Sequence, residues 1–147
     1  MDSNDAGPTE RNKAVVRLFF ARMNEGDIDG GFELIAPGAT WFNLGSRQHV
    51  DALSVKPTIE QVYGSVLQDP IQQKILIVTA EDDRVAAVTE GHAVTVDGLV
   101  YDNMYHFLFE LDDGLVTSLW EFNDTAHTNS VLRRGNRGGL GLPSGSV

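Results

Sequence analysis

Between Gln72 and Asn123 the chain runs through four long β-branched and aromatic segments, and this run constrains the fold more than any other feature. The segments are Gln72 to Thr79, Arg84 to Val96, Leu99 to Leu111 and Leu115 to Asn123, separated by Asp82-Asp83, Asp97-Gly98 and Asp113-Gly114. Strands joined by turns this short pair antiparallel with their neighbours, because a parallel crossover needs a dozen or more residues. The run predicts a four-stranded meander. Both of its faces are largely apolar, so both must be covered. Helices from the N-terminal half cover one, and a second copy of the chain is expected on the other, a homodimer through the outer sheet face.

The N-terminal half supplies those helices. Val15, Val16, Leu18, Phe19, Phe20 and Met23 form a wide apolar face at helical spacing over about Thr9 to Asn24, with Thr9 as N-cap and Gly26 as the stop. Asp27 caps a second, shorter helix carrying Ile28, Phe32, Leu34 and Ile35, closed by Pro37-Gly38. Ala39 to Asn43 reads as a short strand and Gly45 to Ser54 as an irregular loop. Pro57 opens a third helix to about Leu67, and a last one starts at Asp124 or Thr125 and ends at Leu132. The expected organisation is one α+β domain over residues 9–132, a disordered start over 1–8, and a flexible Gly-rich tail over 133–147.

Bulk properties narrow the function. A 41% apolar fraction in 147 residues is enough for a real core. No apolar run approaches the ~20 residues of a membrane span, and the acidic start lacks the pattern of a signal peptide. With no cysteine there is no disulfide or thiolate chemistry, and a cytoplasmic location is expected. Net charge is −10, and three of the 11 basic residues (Arg133, Arg134 and Arg137) fall in the tail. A body this acidic repels phosphate backbones, so nucleic acid is not an expected partner. The four histidines are scattered without metal-ligand spacing, so neither metal nor other cofactor is expected.

The order of elements, with three stretches of sequence, resembles the nuclear transport factor two-like superfamily, a conical α+β fold. The stretches are Val15 to Gly30, Ala39-Thr40-Trp41, and Asp113-Gly114-Leu115-Val116 with Trp120 to Thr125. The nearest resemblance is to ketosteroid isomerase and its SnoaL-type polyketide-cyclase and limonene-epoxide-hydrolase relatives. It implies a curved antiparallel sheet packed against three N-terminal helices around a pocket for a small apolar molecule. The isomerases use an Asp base with a Tyr and a protonated Asp as oxyanion hole. By resemblance these positions fall on Asn43, Phe19 and Tyr105, so steroid isomerisation by that route is lost. The epoxide hydrolases' Asp–Arg–Asp set falls on Ala93, Gly91 and Glu121, and their water-holding Tyr and Asn on Trp41 and Asn43.

Alternation along the strands picks out residues that could meet. A three-residue bulged turn at Asp112-Asp113-Gly114 sets Phe107 opposite Leu119, Tyr105 opposite Glu121 and Asn103 opposite Asn123. A two-residue turn pairs Tyr105 with Phe122 and scatters that set. Glu121 is then an inward carboxylate suited to acid–base work, with Tyr105 as a donor beside it. For His92 two readings stay open. A two-residue Asp97-Gly98 turn puts it in the pocket, a catalytic base with a pKa near neutrality. A three-residue turn brings in Gly91 and Ala93 instead, and the resemblance favours that. Trp41 and Asn43 share a face of the first strand, and Tyr63, Phe19 and Phe107 are expected in the wall. His106 and Trp120 face the other side of the sheet. The expected activity is cofactor-independent isomerisation, cyclisation or dehydration of a polyketide-, terpenoid- or steroid-like molecule. The alternative is a binding or accessory protein of the same fold.

Overall fold

The computed structural model describes residues 7–133, and the expected disordered start up to residue 6 and the expected tail beyond Arg133 lie outside them. In chain order the elements are α1 (Pro8–Asn24), α2 (Ile28–Phe32), β1 (Ile35–Asn43) and β2 (Gln48–Asp51). A 3-10 turn (Ala52–Val55) leads into α3 (Lys56–Gln61), which continues as a π-helical turn (Val62–Val66). Strands β3 (Gln72–Glu81), β4 (Arg84–Val94), β5 (Val100–Asp112) and β6 (Leu115–Asn123) follow, then α4 (Thr125–Leu132). The fold is α+β, with six strands in one sheet ordered β2-β1-β6-β5-β4-β3.

The meander is present, and β1 lies parallel to β6 at its edge, with Asn43 level with Glu121. Four local expectations change. Helix α1 starts at Pro8, not Thr9, and Gly7 precedes it without a side-chain cap. Proline fits the first helical position because its missing N–H would have no partner there. Helix α2 is capped by Asp27 as expected but ends at Phe32. Pro37-Gly38 therefore lies inside β1, where the pairing with β6 shifts between Ile35 and Thr40. A bulge tolerates proline because that residue need not donate to the ladder. The stretch expected as loop contains β2, paired antiparallel to β1.

The two hairpin turns decide which side chains face inward. Between β5 and β6 the turn has two residues, Asp113 and Gly114, both at positive φ, with Asp112 opposite Leu115. That geometry matches the strands' right-handed twist and suits Asp-Gly. By itself it would have scattered the inward set. One extra residue, Thr117, is absorbed between the Leu111–Val116 and Glu110–Ser118 pairs, and this bulge restores the alternation. Partners are offset by two from the expected ones: Phe107 stands opposite Glu121 and Tyr105 opposite Asn123. Between β4 and β5 the loop is Val96-Asp97-Gly98, with Thr95 N donating to Leu99 O at 2.8 Å. Gly91 therefore pairs with Asn103, and His92 turns outward.

Helix α1 lays Val16, Phe19, Phe20 and Met23 on the concave face. Phe20 meets Phe107 and Phe109 edge to face, with centroids 5.2 and 5.8 Å apart. Such pairs add about 0.5–1.5 kcal/mol each beyond area burial. The convex face carries Phe42, His49, Trp120 and Phe122 in mutual ring contact, with His106 beside Phe122. Met104 and Ile77 on that face are 49% and 60% exposed. No helix among the described residues is long and apolar enough to cross a membrane.

Candidate functional site

The concave face of the sheet, α1 and α3 enclose a cavity of about 260 Å³. This lies near the low end for small-molecule pockets, ~300 Å³ upward. Phe19, Phe20, Met23 and Phe107 form its base, Ile59, Val62 and Tyr63 one wall, and exposed Gln48 and Ser54 mark its edge. Among the described residues lining it, Glu121 is the one charged side chain. No group of three or more His, Asp or Glu among them is placed to hold a metal ion.

Glu121 enters from β6 with a donor on each oxygen. Trp41 Nε1 donates to Oε1 at 3.1 Å, and Asn123 Nδ2 donates to Oε2 at 2.9 Å. Burial pushes the carboxyl pKa up, and the two N–H donors, which favour the ionised form, offset part of that rise. Trp41 is itself pinned by stacking on Phe32, 6.2 Å between centroids.

A chain of hydroxyls and amides forms the second half of the site. Tyr101 Oη and Tyr105 Oη lie 2.5 Å apart, within the buried end of β5. Asn103 Oδ1 accepts from Asp124 N, so its Nδ2 is the donor that reaches Tyr101 Oη at 2.9 Å. Thr128 of α4 is the node between both halves. It lies 3.2 Å from Tyr101 Oη, its one hydroxyl hydrogen is within reach of Asn123 Oδ1 and of Asp124 O, each at 3.2 Å, and Asn123 in turn holds Glu121. Burial raises the Tyr105 pKa well above its ordinary value and the neighbouring Tyr101 and Glu121 add to the rise. Tyr101 and Tyr63 are raised as well, burial again leading. All three phenols therefore stay protonated at neutral pH, as hydrogen-bond donors facing a carboxylate.

The sequence-derived residues divide cleanly by position. Glu121, Tyr105, Trp41, Asn43, Asn123, Tyr63, Phe19 and Phe107 all line the cavity. Asn43 Oδ1 accepts from Gly45 N at 2.8 Å, so it also shapes the loop after β1. Two do not belong to the lining. Asn103 is buried, and its amide brackets Asp124 through Nδ2 to Asp124 O and Oδ1 from Asp124 N, fastening α4. His92 lies on the convex face, its Nδ1 2.5 Å from Asp102 Oδ1, because the three-residue loop inverts the register that would have aimed it inward.

Tyr101, Thr128 and Gln73 line the cavity without having been picked out. The alternation that joins Asn103, Tyr105 and Phe107 extends to Tyr101, so its signal was present in the sequence. Thr128 and Gln73 had none, since their placement depends on how α4 and β3 dock.

The class these elements define is a conical α+β fold, one curved six-stranded sheet with helices on its concave face, whose cavity holds one buried carboxylate and clustered tyrosine hydroxyls. The chain belongs to the family of the SnoaL-like domain, whose model matches residues 16–119. Among solved structures it is similar to PrhC from Penicillium brasilianum, with a TM-score of 0.77 and 17% identity over 87% of this chain and 89% of that one. It is similar also to an LEH-like epoxide hydrolase of M. tuberculosis, with a TM-score of 0.71 and 18% identity over 88% and 94%. A candidate SnoaL-like polyketide cyclase from Jannaschia gives 0.70 and 19% over 89% and 97%. Among curated proteins no relative matches the chain. At these identities the likeness to the structures carries the fold and not the chemistry.

Proposed function

We propose that this protein is a cofactor-independent enzyme that shifts a proton on a small, neutral, mostly apolar molecule, by isomerisation, cyclisation or dehydration. The observation that carries the reading is Glu121, a carboxylate desolvated in an apolar cavity and faced by protonated tyrosines. In the proposed step the ionised carboxylate takes a proton from carbon next to a substrate carbonyl. The electron pair moves onto the carbonyl oxygen, Tyr105 donates a hydrogen bond to that oxygen, and protonated Glu121 returns the proton to a different atom. Tyr105 stays protonated throughout. The apolar lining supports a polyketide- or terpenoid-like ketone as substrate, and the small volume favours a compact one.

The test uses 2-tetralone, a bicyclic ketone with acidic α-hydrogens, in D2O. The protein is expected to speed exchange of those hydrogens, and Glu121→Gln to abolish the acceleration while binding stays within about threefold. Acceleration that survives Glu121→Gln removes the assignment.

One observation favours a second reading, a binding protein without turnover. Both Glu121 oxygens already accept from the protein, and Phe19 offers no hydroxyl. On that reading 2-tetralone binds and no exchange is catalysed. Under either reading we place the protein in the cytoplasm, as the lack of cysteine suggests, and pair two copies through the convex face, where the aromatic cluster and exposed Met104 support burial by a partner.

A further inference from the structure

Gln73 reaches the cavity wall from β3 and is held at both its backbone and its side chain. Asn24, the last residue of α1, donates through Nδ2 to Gln73 O at 3.0 Å and accepts from Gln73 N at 2.8 Å. Thr89, fully buried on β4, donates its hydroxyl to Gln73 Oε1 at 2.7 Å. The oxygen is thereby occupied and the nitrogen is turned outward from Thr89. Among the described residues no acceptor takes the Nε2 hydrogens, and that nitrogen is not sealed off by protein atoms. On a residue that lines the cavity, a held amide whose nitrogen has no partner among the described residues is a donor prepared for a ligand.

Gly91 explains how the amide comes to sit where it does. A Cβ there would stand 3.1 Å from Gln73 Nε2, 3.2 Å from Oε1 and 2.9 Å from Tyr105 Cε1. Any larger residue would push the amide or the ring aside. With glycine on β4, the strand between them, the amide from β3 and the ring from β5 approach each other.

We propose that Gln73 is a ligand-binding residue whose Nε2, with the Tyr105 hydroxyl, seats a carbonyl oxygen of a neutral ligand. Carboxylates and phosphates are poor candidates, because Glu121 would repel them and no Lys, Arg or His among the described residues lines the cavity. The inference rests on the cavity being the ligand site and does not require Glu121 to act as a base.

The full-length, 15N-labelled protein is titrated with 2-tetralone and with tetralin, its hydrocarbon counterpart, following the Gln73 side-chain amide pair by NMR. The wild type is expected to bind the ketone at least tenfold more tightly, with the Gln73 pair moving only for the ketone. Gln73→Leu is expected to cut that preference below threefold at unchanged tetralin affinity. Thr89→Val, which frees the amide to turn, is expected to cut it about threefold. Circular dichroism melts establish that both variants are folded. Equal affinity for the two molecules, binding of neither, or a preference untouched in both variants overturns the inference. The ketone preference is expected to persist in Glu121→Gln even as exchange is lost, so failure of the seat and failure of the base are told apart.

Discussion

Trp41 and Glu121 meet across the parallel pair β1–β6, where the indole Nε1 donates to the carboxylate Oε1 at 3.1 Å. The contact joins residues 80 positions apart. Trp41→Phe keeps an aromatic ring and removes the donor. The ionised carboxyl then loses one of the two bonds that favour it, and its already raised pKa rises further. The acid limb of the pH–rate profile is expected to move to higher pH. Lost hydrogen bonding and packing together are expected to cost about 1–3 kcal/mol in denaturant unfolding. An unmoved acid limb would show that Trp41 does not tune Glu121.

Glu121 also makes stability depend on pH. Because its folded pKa is raised, the native state binds the proton more tightly than the unfolded chain. The neutral carboxyl supports the fold below the ordinary carboxylate range, and that support is lost as pH rises through the raised folded value. Glu121→Gln is always neutral, so its Tm advantage over wild type is expected to grow from about pH 4 to about pH 8. A difference that is flat or shrinks with pH contradicts the buried-carboxylate account.

Tyr101 acts through Tyr105. Tyr101→Phe deletes the hydroxyl that lies 2.5 Å from Tyr105 Oη and accepts from Asn103. If it orients the Tyr105 proton, kcat for α-proton exchange falls about tenfold with KM within a few-fold, against about a hundredfold for Tyr105→Phe. The loss of buried hydrogen bonds is expected to cost about 1–3 kcal/mol of stability. A stability loss without a change in kcat would mark the residue as structural alone.

The convex face supplies a test of assembly. Met104 lies half-exposed there, opposite Glu90 of β4, and Met104→Glu puts a charge where a second copy is proposed to pack. Sedimentation equilibrium is expected to show a wild-type dimer and a variant dimer weakened at least tenfold, since a buried unpaired charge is costly. A monomeric wild type ends the proposal.

Much of this site is legible in the sequence. The turn pairs and β-branched runs mark the meander, and alternation along β5 groups Tyr101, Asn103, Tyr105 and Phe107. The inward direction of Glu121 follows from the same alternation, though for an incomplete reason. The bulge was expected in the turn, and it lies at Thr117. Either position preserves the parity of the faces, so Glu121 and Tyr105 remain on the same side. His92 shows the opposite case, in which one residue more in the loop turns a pocket base into a surface partner of Asp102.

By itself, then, the sequence determined the type of the longer elements, strand order in the meander and the two-faced character of its strands, because these depend on short-range sterics and side-chain period. Only the tertiary structure decided that Gln73 and Tyr105 approach each other over Gly91 and that Thr128 ties both halves of the site together. Where an extra residue is absorbed, and how a helix docks, depend on packing between segments far apart in sequence, and no local pattern encodes that choice.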